Sequence, residues 1–287
     1  MTLPEGELRR RSRLLRDVVE PIAANVYFAP EAREAYAALG LADFGPSYFA
    51  SRGGCLGQAP GEVITAAFGV FDPLLVVPAV AEAWSTTDVA SMLAARERGA
   101  VASLKRILGP SPGGLERATT LLGRAAAAAP VGEGRALYSG LCSLGYPGTP
   151  LGDLWRAADL VREHRGDSHV IAWVGHGLDP VQANISTELW WRIPLRSYVR
   201  TRGWAEERID ASLADLVARG LVAGESFTPA GEALRGDIEL ATDRQERPIL
   251  EAIGDDIDEL LGILSPWCDA IMAAKGYPRD PRLMTRP

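Results

Sequence analysis

The chain has 287 residues, 47% hydrophobic and 23% charged, a globular composition long enough for one large core or two modest domains. A net charge of −7 argues against a dedicated nucleic-acid binder, which carries a basic face. Cys55, Cys142 and Cys268 lie far apart with no C-x-x-C, so neither a disulfide framework nor a zinc ribbon follows, and a reducing, cytoplasmic setting is expected.

The N-terminus "MTLPEGELRRRSRLLRDVVEP" is basic but lacks the apolar stretch of a signal peptide. Leu15, Val18, Val19 and Ile22 fall at helical spacing, with Pro21 placed to kink or restart the helix. Pro30 opens a second helix and Gly40 lies just past its end. The Gly and Pro density of "FGPSYFASRGGCLGQAPGEVITAAFGVFDP" predicts loops around one short helix. The apolar run "GVFDPLLVVPAVAEAW" is broken by Asp72, Pro73 and Pro78, so it reads as core and not as a membrane span. An amphipathic helix follows, capped by Thr87 or Asp88 and ended by Gly109, and another is stopped by Pro130. "DLWRAADLVREH" reads as a helix capped by Asp153 and interrupted at Gly166. Asp167 or Ser168 then caps a second helix, "HVIAWVGH". Asp179 caps the next, with Pro180 in its first turn. No alternating strand pattern precedes residue 220, so the chain reads as mainly α.

The C-terminal third has a distinct order. "IPLRSYVRTRG" reads as a short helix and "WAEERIDASLADLVARG" as a longer one. "LVAGESFT" forms two short extended pieces, and Thr228 with Pro229 opens a further helix. The tail adds two more. Helix, tight turn, helix, small hairpin, helix is the order of a winged helix-turn-helix. Residues 194–243 resemble the MarR-like regulators through "LADLVARGLV", a short wing and "FTPAGEALRGDIE". The whole chain also resembles an actinobacterial helix-turn-helix family through "YFAPEAREAYAALGL", "LVREHRGDSH" and "TRGWAEERIDASLADLVARGLV". The resemblance implies a winged helix and no particular activity. The expected architecture is a mainly α chain: an N-terminal helical domain, 1–190, followed by a MarR-like winged helix with a helical tail, 191–287.

A winged helix that reads DNA needs cations where its recognition helix and wing meet phosphates. Here that helix opens with Glu206, Glu207 and Asp210, continues to Asp215, and the wing carries Glu225. Arg196, Arg200 and Arg202 are the local basic stripe and the only DNA-contact candidates. DNA is therefore disfavoured, and packing or homodimerisation is the alternative use of the fold.

All three histidines lie in "LVREHRGDSHVIAWVGHG". His164 and His169 flank the predicted break, whose free backbone N–H groups would suit an anion, with Arg162 and Arg165 nearby to pair with a carboxylate or phosphate. His164, Asp167 and His169 admit three readings. They are ligands for a divalent metal, an acid/base group oriented by Asp167, or structural residues. His176, just before Gly177, reads as a helix-end residue. Tyr27, Tyr48, Arg52 and Trp155 are candidates to line a ligand pocket, while Cys55 reads as a small buried thiol. Neither G-x-S-x-G nor a phosphate loop is present. The expectation is a small-molecule-binding protein of winged-helix ancestry with transcriptional output. Its acidic or aromatic ligand would sit between the two parts, at "HRGDSH". The alternative is an enzyme using His164, Asp167 and His169, metal-dependent or free of organic cofactor. The identity of any cofactor or metal stays open.

Overall fold

Proline and capping residues set out most of the helices. The computed structural model describes residues 3–279. The chain begins with α1 (Glu5–Ala24), which runs through Pro21 without restarting, and α2 (Pro30–Ala37). Two helices then occupy the Gly- and Pro-rich stretch, α3 (Phe44–Gly53) and α4 (Gly61–Phe68), where one was expected. Burial explains the second, since Ile64 and Phe68 both enter the core. There follow α5 (Pro73–Thr86), α6 (Val89–Leu108), α7 (Leu115–Ala128) and α8 (Ala136–Leu144). The long α9 (Pro150–Gly175) leads to α10 (Pro180–Trp191) and α11 (Glu206–Ala218). A hairpin of β1 (Val222–Ala223) and β2 (Ser226–Phe227) precedes α12 (Pro229–Gln245), α13 (Arg247–Ile253) and α14 (Ile257–Ala273). Four helix starts carry side-chain caps: Asp72 on Leu74 N, Asp88 on Ser91 N, Asp179 on Gln182 N and Thr228 on Gly231 N.

The described residues are thus mainly helical, with one two-stranded antiparallel sheet among them, pairing Val222 with Phe227 and Ala223 with Ser226. No helix among the described residues is long and apolar enough to cross a membrane.

Four expectations fail, each because a side-chain or packing partner outweighs the local signal. Gly166 does not break α9. A mid-helix glycine costs about 1 kcal/mol, and Val161, His164, Asp167, Ser168 and Ala172 around it are buried against neighbouring helices. Asp167 and Ser168 cap no helix of their own segment. Asp167 accepts the Tyr138 N–H in the first turn of α8 (2.9 Å), and the Ser168 hydroxyl accepts from Arg135 Nε (3.0 Å). Asp153 is likewise not the cap of α9. The helix starts three residues earlier, at Pro150, and Asp153 reaches back to the Gly148 N–H (2.7 Å). "IPLRSYVRTRG" is not an α-helix either, but a turn and a short 3-10 stretch, Val199–Arg202. The buried Glu188 carboxylate takes the N–H groups of Arg196, Tyr198 and Val199, and Arg196 is left-handed (φ 69°). Once those N–H groups point at one carboxylate they cannot form an α-helical ladder.

Buried side chains form two clusters. The first runs from Leu8 to Val161 and takes back Ile249 to Ile271, because α13 and α14 return to pack on α7, α1 and α6. The second spans Ala172 to Ile238 around α10, α11, the hairpin and α12. At 1.5 Å per residue α9 is about 39 Å long. It enters the first cluster with Leu154 and Val161 and the second with Ala172 and Trp173.

Candidate functional site

Four helices each turn a polar stripe, at three- and four-residue spacing, toward one cavity. They are Ser12, Arg16 and Glu20 of α1, Arg162, Arg165 and His169 of α9, Asn184 and Thr187 of α10, and Arg235 and Glu239 of α12. The cavity holds about 220 Å³. Its apolar wall is shared, with Leu15, Val19 and Val161 from the first core and Trp173 and Ala183 from the second. It therefore lies on the seam between them.

The arginines are held by acids. Arg52 makes a two-pronged pair with Glu163 (2.8 and 2.7 Å), and Arg162 bridges Glu20 (3.0 Å) and Glu163 (2.5 Å). Burial opposes the charge on Glu163, yet Arg52 and Arg162 together hold its carboxyl at about 2. Arg165 binds Asp243 (2.9 Å) and the Ser12 hydroxyl (2.7 Å). Arg235 pairs with Glu239 (2.6 Å), but burial outweighs that partner and lowers the guanidinium's pKa. Burial, reinforced by Arg235, also drops His169 to about 3, so its ring is neutral at neutral pH. The tautomer follows from its neighbours. The Thr242 hydroxyl donates to Ile238 O, so it accepts from His169 Nδ1–H (3.0 Å), leaving Nε2 to face Arg235 Nη1 (3.4 Å) as an acceptor. Three buried polar atoms that belong to residues of the wall have no partner: Trp173 Nε1, Arg235 Nε and Asn184 Oδ1.

Of the residues singled out in the sequence, Arg52, Arg162, Arg165 and His169 meet in this wall. His164 and Asp167 do not join them. His164 is fully buried behind Glu246, which its Nδ1 approaches to 2.6 Å, and stands edge-on to Tyr138. Because α9 is continuous, His164 and His169 point about 140° apart around it at 3.6 residues per turn. Among the described residues no group of three His, Cys, Asp or Glu is arranged to hold a metal. The expected anion site at a helix break is absent, since α9 frees no N–H groups there. His176 ends α9, its Nδ1 on Ala172 O.

Tyr27, Tyr48 and Trp155 lie outside the cavity wall. The Tyr27 hydroxyl accepts from Arg96 (2.8 Å), Trp155 donates to Ala23 O (3.1 Å) with Arg96 over its ring, and Tyr48 stacks on Phe44. The Cys55 thiol is buried and pushed up to about 12, far from a thiolate. Arg196 is taken by Glu206 (3.0 Å) and Asp210 (2.6 Å), and Arg200 by Glu206 (2.5 Å). Arg202 lies half-buried over the rings of Phe71 and Tyr198.

Burial raises the Asp167 carboxyl to about 7, against the pull of the Tyr138 N–H. A folded-state pKa above the unfolded value means the native state holds the proton longer, so stability falls as pH rises from about 4 to about 7. Asp167→Asn keeps an acceptor for Tyr138 and removes the titration. Its unfolding free energy should lose that slope, up to about 4 kcal/mol across the window. Parallel pH slopes for variant and wild type in urea melts would refute this.

Sequence reasoning missed Arg235, Glu239, Asn184, Thr187 and Trp173. The signal was present as polar residues at helical spacing on the core-facing side of α10 and α12, a second stripe where one apolar stripe is the rule.

A helix-turn-helix family model matches residues 12–278 of the chain. No curated protein and no solved structure matches it.

Proposed function

Because the chain belongs to the helix-turn-helix family whose model spans residues 12–278, we propose that it is a ligand-responsive, cytoplasmic binding protein of winged-helix ancestry. Its MarR-like unit is built on α10, α11, the hairpin and α12, and its sensor is the seam cavity. The observation that carries this reading is the cavity's position. It is walled by both cores, and three buried polar atoms of its lining residues lack partners.

The route from cavity to α11 is short. Asn184 and Thr187 line the cavity, and the next residue of α10, Glu188, anchors residues 196–199. Asn184 Nδ2 and Trp204 Nε1, just ahead of α11, both donate to Val70 O (2.9 Å each). A molecule that moves Asn184 bears on the entry to α11 by two paths.

Family membership makes DNA the first partner to test for the output. Most arginines of the unit are already paired with acids, Arg208 with Asp179 and Arg219 with Asp215 in addition to Arg196, Arg200 and Arg235, while Arg202 lies over aromatic rings. Few remain for phosphates, so the expected affinity for duplex DNA at physiological salt is weak. Tight binding with a steep salt slope in fluorescence anisotropy would restore a direct DNA role.

The sensor reading is tested by native mass spectrometry of the purified full chain, with melting in fractionated small-molecule extract. A released species of metabolite size, or a fraction that raises the melting temperature, supports it. An empty protein that no fraction stabilises overturns it.

A further inference from the structure

We infer that the seam cavity takes a small carboxylate carried on a flat apolar body, with a hydrogen-bond donor on that body read by Asn184. The inference rests on the reading of the cavity as a ligand site and adds the chemistry of the occupant.

Unfilled hydrogen-bonding capacity carries the argument. Trp173 and Arg235 are 4% and 3% exposed, and each leaves a donor without a partner, Nε1 and Nε respectively. Asn184, 1% exposed, spends its Nδ2 on Val70 O and leaves Oδ1 without one. A buried polar atom left unpaired costs about 1–3 kcal/mol. A molecule offering acceptors to the first two and a donor to the third satisfies all three.

The excess of donors argues for an oxyanion. Charge singles out one of the five arginines in the lining, since Arg16 pairs with Asp17, Arg52 with Glu163, Arg162 with Glu20 and Glu163, and Arg165 with Asp243. Arg235 is the under-compensated one. Its single close acid, Glu239, also lies 3.8 Å from Arg165, and burial still lowers the Arg235 pKa. A carboxylate beside Arg235 Nε and Trp173 Nε1 supplies the missing charge through charge-assisted bonds.

Trp173, Trp191 and Tyr198 give flat walls, and Leu15, Val19 and Val70 give apolar ones. The volume of about 220 Å³ falls below the roughly 300–1,000 Å³ of drug-sized pockets, which points to one ring system with one acid group.

The test uses the full chain and paired probes, phenylacetate and indole-3-carboxylate, each against its neutral amide, by calorimetry and melting. The acids should bind at least about tenfold tighter than the amides. Trp173→Phe keeps an aromatic ring but loses the pyrrole half with its N–H, and should weaken the acids about tenfold and the amides, whose uncharged carbonyl accepts the same N–H more weakly, by less. Arg235→Lys keeps a charge for Glu239 and drops Nε, and should act in the same direction. 1-Methylindole-3-carboxylate, which has no ring N–H for Asn184, should bind more weakly than its parent.

Amides that bind as well as acids would remove the carboxylate while leaving a ligand site in place, as would acid affinity unchanged in Trp173→Phe. A methylated probe that binds like its parent would remove the role of Asn184. If neither acids nor amides bind, and no extract fraction stabilises the chain, the cavity holds water, and the ligand reading falls with the inference.

Discussion

Glu188→Ala is expected to lower the unfolding free energy by about 3–5 kcal/mol, among the largest single losses in the molecule. The Glu188 carboxylate is fully buried and accepts three backbone N–H groups, from Arg196 (2.8 Å), Tyr198 (2.6 Å) and Val199 (2.8 Å). A hydrogen bond to a charged group contributes about 1.5–3 kcal/mol, and the three are not fully additive. Truncation leaves those donors turned inward with no acceptor, and Val199 is itself buried. Glu188→Gln should fall between, because its amide nitrogen would point a donor at donors. Urea melts give the magnitude, and hydrogen exchange gives the place: the amides of 196, 198 and 199 should open first. A loss under about 1 kcal/mol, or protection unchanged at those three amides, would show that the segment is held from elsewhere. Function should follow stability here. Tyr198 lines the cavity, and Arg196 and Arg200 tie the same segment to Glu206 at the start of α11.

Glu188 also shows where a sequence stops being legible. The helices with local punctuation were readable: Asp88, Asp179 and Thr228 sit where a cap should, and the hairpin and α12 follow as expected. What could not be read depends on partners far along the chain. Gly166 looks like a break only until Asp167 is seen to cap α8 across 29 residues and Ser168 to hold Arg135 across 33. "IPLRSYVRTRG" scores as helix until a glutamate on the preceding helix claims its N–H groups.

The cavity was half legible for the same reason. Arg162, Arg165 and His169 shared one stretch, and Arg52 stood out as an arginine among aromatics. The opposite wall comes from α10 and α12. Their polar stripes look like ordinary solvent-facing residues unless one knows that both helices are buried on that side. The histidines misled because sequence proximity is not convergence on a continuous helix. His164 and His169 share a phrase and face different neighbours, Glu246 and Thr242.

Glu163→Gln is expected to have two opposed effects. Glu163 sits behind the cavity wall, 1% exposed, and neutralises both Arg52 and Arg162. Removing one partner of a buried ion pair costs about 3–5 kcal/mol, because the other stays buried and uncompensated. The pH dependence identifies the cause. The carboxyl is held at about 2, below its ordinary 4.5, so its contribution is fully present above about pH 4.5 and is lost as pH falls toward 2. The variant should lack that part of the acid limb, and the gap between it and wild type should close at low pH. The second effect is a gain. With Glu163 uncharged, Arg162 keeps Glu20, while Arg52 loses its acid partner and turns toward whatever carboxylate the cavity holds. Indole-3-carboxylate should therefore bind the variant several-fold more tightly and restore part of its lost melting temperature, whereas the amide should do neither. A variant as stable as wild type at pH 7 would mean that water entering through the cavity already solvates both guanidinium groups. The seam would then be an open vestibule, and its arginines a wet surface in place of an anion seat.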